Sequence, residues 1–170
     1  MLREHIIRSL SFNLQYTREL LAGIPEKILA DSGGPGLENH ALFTAGHILS
    51  ALSLTVKYLG HPYDMPENWE SLFRRTGPGD PALPVNDLEL YPPIHEVMSQ
   101  LEVKTNVLIE LISKLSDEEL DKEVSWRFKE YLPKLGDLLA FMCIQHSSMH
   151  LAQLSAWRRS KGFDSALKKM

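Results

Sequence analysis

Two histidines stand four residues apart in Gln145-His146-Ser147-Ser148-Met149-His150-Leu151-Ala152-Gln153. On a helix this spacing puts both imidazoles on one face, about 5–6 Å apart at Cβ, within reach of a single metal ion. A third imidazole, His47, lies in a separate apolar run, Leu42-Phe43-Thr44-Ala45-Gly46-His47-Ile48-Leu49. Three neutral imidazoles with an open fourth position describe a catalytic site of the zinc type, and nickel and iron accept the same donors. A buried imidazole costs about 1–3 kcal/mol for each unsatisfied polar group, so three on core faces demand hydrogen-bond partners or a metal. Further candidates flank them. Cys143 precedes His146 by three residues, Gln153 follows His150 by one turn, and His40 lies one helical repeat before His47 as a rival third ligand or a gate at the groove mouth. Each has a plainer reading too: a hydrogen-bonded core histidine, a small buried hydrophobe for Cys143, a polar boundary residue for Gln153.

The elements that must position these residues are helical. Ile6, Leu10, Leu14, Thr17 and Leu21 recur at helical spacing between about Arg3 and Ile28, and Asp31-Ser32-Gly33-Gly34-Pro35-Gly36 breaks the run. Asn39 is the expected N-cap of a second helix that buries Phe43, His47, Ala51 and Leu54 and stops at Gly60. Seven of the ten prolines fall between Gly60 and Pro93, which predicts a long irregular crossover with a turn of helix at Glu67 to Phe73. A third helix is predicted from about Ile94 to Leu115, with Val97, Met98, Leu101, Thr105, Leu108 and Ile112 on one side. Ser116-Asp117-Glu118-Glu119 has the form of a capping box opening a short helix, and Val124 to Leu132 reads as a loop. The fourth long helix is predicted from Pro133 to Lys161 with Leu135, Leu138, Leu139, Met142, His146, Met149, Gln153 and Trp157 on one broad face; Gly162 stops it. Four long helices and one extended crossover give an all-α four-helix bundle.

Composition narrows the function classes. At 170 residues, with 44% hydrophobic and 24% charged, the chain suits a single domain, residues 1–170, with a real core. A net charge of -4 and a pI near 6.0 offer no broad attraction to phosphate backbones, which argues against a nucleic-acid partner. Arg158, Arg159 and Lys161 sit where a helix C-terminus favours cations. Cys143 is the one cysteine, so no internal disulfide forms, consistent with a reducing, cytoplasmic setting; no signal peptide or membrane span is visible. Trp69, Trp126 and Trp157 are expected either to mark a dimer surface or to cap the bundle.

Ala45-Gly46-His47-Ile48, the proline-rich crossover, Leu115-Ser116-Asp117-Glu118-Glu119-Leu120, and His146-x-x-x-His150-x-x-Gln153 followed by Arg158-Arg159 and Gly162 together resemble the DinB-like superfamily. The resemblance covers nearly the whole chain. It implies a four-helix bundle with up-down-down-up connectivity, often a homodimer, holding one divalent metal on the residues that match here as His47, His146 and His150. It also implies a small-molecule substrate. Some relatives are similar to transferases using a low-molecular-weight thiol, others to metal-dependent hydrolases. Both need an open metal position that lowers the pKa of a bound thiol or water. No glutamate adjoins the histidine pair as in H-E-x-x-H proteases, which weighs against hydrolysis. A bundle that binds a ligand without turnover is the third expectation.

Overall fold

The apolar repeats form helices whose neighbours are set by the faces they bury. The computed structural model describes residues 1–77 and 80–170; Pro78 of the crossover and Gly79 lie outside the described residues. Helix α1 spans Leu2–Leu21 and buries Ile6, Leu10, Thr17 and Leu20. It ends about two turns earlier than the periodicity predicts, because Gly23 takes a positive φ of 74° and only a 3-10 turn, Glu26–Ile28, follows. Helix α2, Ala41–Tyr58, is buried on almost every side. Its N-cap is His40, not Asn39. Within the crossover stand α3, Trp69–Phe73, and a 3-10 turn, Leu88–Leu90. Helix α4, Ile94–Ser113, buries Val97, Leu101, Thr105, Leu108 and Ile112 as its pattern predicts. The Ser116–Glu119 capping box is formed and opens α5, Asp117–Leu120.

The last long helix is not uniform. It begins as α6, Leu135–Ala140, loosens into a π segment, Phe141–His146, and resumes as α7, Ser147–Ser160. The π segment changes the face: Met149 is 52% exposed, although the regular pattern buries it, while Cys143, Ser147, Leu151 and Leu154 turn into the core. Among the described residues no strand forms; an isolated bridge, Glu123 to Lys134, closes the neck of the predicted loop.

Each of α1 and α2 packs against both α4 and the last helix. Arg3 donates to Leu115 O and Arg18 pairs with Glu102, so α1 and α4 run in opposite directions. Asn13 donates to Cys143 O and Arg158 to Leu20 O, so α1 and the last helix run the same way. No helix among the described residues is long and apolar enough to cross a membrane.

Two expectations about the end of the chain change. Trp126 and Trp157 are buried, the latter completely with its Nε1–H donated to Asp31 O at 2.7 Å, so neither marks an exposed docking surface. Arg158 is 4% exposed rather than a solvated cation: its Nη1 donates to Leu20 O and Ala22 O, both at 2.9 Å, and its Nε to Asp164 O at 2.8 Å. The guanidinium therefore satisfies carbonyls at the C-terminus of α1 that the helix itself leaves open. Arg158→Met is expected to lower unfolding stability by about 3 kcal/mol in urea titrations, since several charged hydrogen bonds are lost at a buried position.

Candidate metal centre

His47 faces inward from the middle of α2, and its ring is held from behind. Nδ1–H donates to Phe73 O at 2.7 Å, which fixes the tautomer and leaves the Nε2 lone pair for a ligand. That contact requires α3 to lie directly on α2, and Gly46 is what allows it: a Cβ there would come within 2.2 Å of the Phe73 ring. Phe73 itself is fully buried. Ala45-Gly46-His47 is thus a docking seat and a ligand candidate in consecutive positions.

His150 is oriented in the same manner by the other element. Its Nδ1–H donates to Gln153 Oε1 at 3.1 Å, and Gln153 Oε1 accepts a longer bond, 3.4 Å, from Asn39 Nδ2. Gln153 therefore supports a ring rather than joining the cluster. His146 stands at the end of the π segment, and its Nδ1 is buried with no hydrogen-bond partner. Ring centroids are 5.4 Å apart for His47 and His146, and 4.5 Å for each of the pairs His47–His150 and His146–His150. One nitrogen from each ring lies within 4.8 Å of the other two, the sole such group of three among the described residues.

The arrangement suits a cation. Burial lowers the proton affinity of all three rings, with His146 brought down to about 4 and His150 to about 3; the neighbouring rings of the cluster add to the effect for both. All three are neutral at pH 7, the form in which imidazole ligates. Three convergent lone pairs, two outer N–H groups engaged by carbonyl oxygens and one unsatisfied buried nitrogen fit a divalent metal.

The remaining candidates lie elsewhere. His40 is fully buried: its Nδ1 accepts from Phe43 N–H at 3.1 Å as the helix cap, and its Nε2–H donates to Val85 O at 3.2 Å. With both nitrogens occupied it is a structural tie between α2 and the crossover, not a third ligand or a gate. Cys143 is fully buried, does not line the cavity beside the histidines, and burial pushes its thiol up to about 12. It is the small hydrophobe of the plainer reading.

A cavity of about 840 Å³ opens beside the three rings, a size suited to a small molecule. Phe43, Leu54, Trp126, Phe128, Phe141 and Met142 give it apolar walls. The loop between Val124 and Leu132 supplies part of that wall, its shape held by Trp126 Nε1–H donating to Leu132 O.

A model of the DinB superfamily matches residues 9–154. The chain belongs to the DinB superfamily. The matched stretch contains all three clustered histidines and Gly46, while Trp157 and Arg158 lie beyond it. No curated protein and no solved structure shows a significant match to the chain. For this DinB-superfamily member, the arrangement of the site accordingly rests on its own residues. Sequence reading found the three rings but missed Phe73 and the π segment. The single legible signal of the former was a glycine inside an otherwise strong helical run.

Gly46→Ala is expected to displace Phe73, free the His47 ring and weaken zinc affinity about 10–100-fold in a chelator competition titration, with the helical circular dichroism retained. Acid should also act through the cluster. In the unfolded chain histidine titrates near 6.5, above the folded values, so below that pH the unfolded chain binds more protons. The stability of the metal-free protein is therefore complete above about pH 7 and declines as pH falls through 6 towards 4. A double variant, His146→Ala with His150→Ala, should show a shallower decline in melting temperature over this range.

Proposed function

We propose that this DinB-superfamily chain is a divalent-metal protein, with zinc, nickel or iron held by His47, His146 and His150, that transfers a low-molecular-weight thiol to a small electrophile in the adjoining cavity. The observation that carries the reading is the convergence of three imidazole nitrogens, two of them turned inward by Phe73 O and Gln153 Oε1. A bound divalent ion supplies Lewis acidity at an open position, lowering the pKa of a coordinated thiol near neutral pH.

The chain's own groups support transfer over hydrolysis. Cys143 is buried and holds its proton firmly, so the nucleophilic sulfur comes from a co-substrate. Hydrolysis wants a carboxylate base, and the two carboxylates lining the cavity are both engaged. Glu38 accepts from Gly36 N–H, which lowers its pKa. Asp80 accepts from Ala82 N–H, Thr76 N–H and the Thr76 hydroxyl, which bring it down to about 2. A carboxylate held so far below neutrality is a weak general base. The apolar walls exclude water from the thiol and orient the electrophile. The helix pairings support the up-down-down-up connectivity. A single domain, a homodimer, a small-molecule substrate and a cytoplasmic location complete the reading.

Elemental analysis of untagged protein should find about one divalent ion per chain, lost in His47→Ala and in His146→Ala. In cobalt-substituted protein, added glutathione, bacillithiol or mycothiol should shift the visible spectrum, and His146→Ala should abolish the shift. Metal-free wild type that folds normally would overturn the site. Metallated protein with thiol-independent turnover would favour a hydrolase, and persistent inactivity a binding protein.

A further inference from the structure

Arg75 lines the same cavity, and its Nη2 is buried without a hydrogen-bond partner among the described residues. Burying a charged donor unsatisfied costs more than burying a neutral one, so such a group points to a missing acceptor. The neighbouring cations are placed otherwise. Arg74 pairs with Glu70 and lies near the Tyr63 ring, while Arg127 is solvent-exposed beside Phe128. Asp80, the nearby carboxylate, spends its oxygens on Thr76 and Ala82.

The Arg75 guanidinium is held in place rather than loose. It sits 4.1 Å over the Phe43 ring, and Phe43 is in turn stacked on His47 at 5.5 Å with 15° between the planes. Phe43 therefore touches both the cation and a candidate metal ligand. One aromatic ring thus separates an anion-binding group from the three imidazoles, and Leu54, Trp126, Phe128, Phe141 and Met142 supply the apolar wall of the same cavity. A single planar guanidinium matches a single carboxylate by paired hydrogen bonds, whereas a phosphate dianion calls for more cations than one.

We propose that Arg75 is the carboxylate-binding residue of this cavity, and that the small molecule accepted beside the three histidines is an apolar monocarboxylate. This rests on the metal-site reading above for the role of the three imidazoles, but the recognition of the acid belongs to Arg75.

The test compares 4-phenylbutanoate with its neutral analogue 4-phenylbutanamide, binding each to the protein as purified, with metal content measured on the same samples. Wild type is expected to prefer the acid by about tenfold or more, and Arg75→Gln to lose that preference while keeping its metal content. Arg75→Lys, which keeps the charge but not the fork, is expected to weaken acid binding by about three- to tenfold; it keeps the test open should Arg75→Gln lose its native circular dichroism. No measurable acid binding, equal binding of acid and amide, an undiminished preference in Arg75→Gln, unchanged acid affinity in Arg75→Lys, or a preference that vanishes with Arg127→Gln instead would each overturn the proposal. Wild type lacking metal yet still preferring the acid would overturn the metal reading and leave this one standing.

Discussion

The hydrogen bond from His47 Nδ1–H to the Phe73 carbonyl ties the site to the fold. It can form only because Gly46 lets an aromatic ring rest against the backbone of α2, so a residue without a side chain determines where a candidate ligand aims. The crossover then has a physical purpose. A long, proline-rich connection delivers a short helix, α3, onto the middle of α2, and its far end is fastened by His40 to Val85 O. Two backbone carbonyls of the crossover thus engage two histidines of the second helical region, one inside the site and one at the helix cap.

The second constraint is electrostatic. Three imidazoles cannot share a small desolvated volume while protonated, and burial removes that option by holding them neutral. Arg75 adds to this by opposing positive charge on His47, with Phe43 interposed between the two groups. A region that repels protons in this way still welcomes a divalent ion, because imidazole lone pairs bond to a metal without needing charge of their own. Beside it, the buried guanidinium of Arg75 contributes a positive charge to the cavity wall, where Asp80 and Glu38 are already tied to the backbone.

Much of this was legible in the residue order. Helices α2 and α4, the capping box at Ser116, the irregular crossover and the loop after Val124 all carry local signals, and local signals survive folding. The grouping of His146 with His150 followed from their spacing, and His47 joined them as an inward-facing histidine in an apolar run. What escaped were facts made by distant contacts. Arg158 looked like a helix-end cation and is an internal cap for α1, because the carbonyls it satisfies are more than a hundred residues away in sequence. Asn39 looked like a cap, and the position passed to its neighbour His40, whose second nitrogen had an acceptor in the crossover. Arg75 carried no pattern at all; its meaning comes from a buried Nη2 that no acceptor among the described residues satisfies, the nearby Asp80 having its oxygens engaged by Thr76 and Ala82.

The π segment gives the last helix two independent phases. Upstream, α6 settles against α1 and α5; downstream, α7 packs on α2 with its His150 beside His47, and the six residues from Phe141 to His146 absorb the angular difference between those demands. The helix behaves as two rods joined by a fixed offset coupling. Either rod can be tuned for its own neighbours while the other keeps its alignment, so packing at one end of the molecule and chemistry at the middle need not compete for a common rotation.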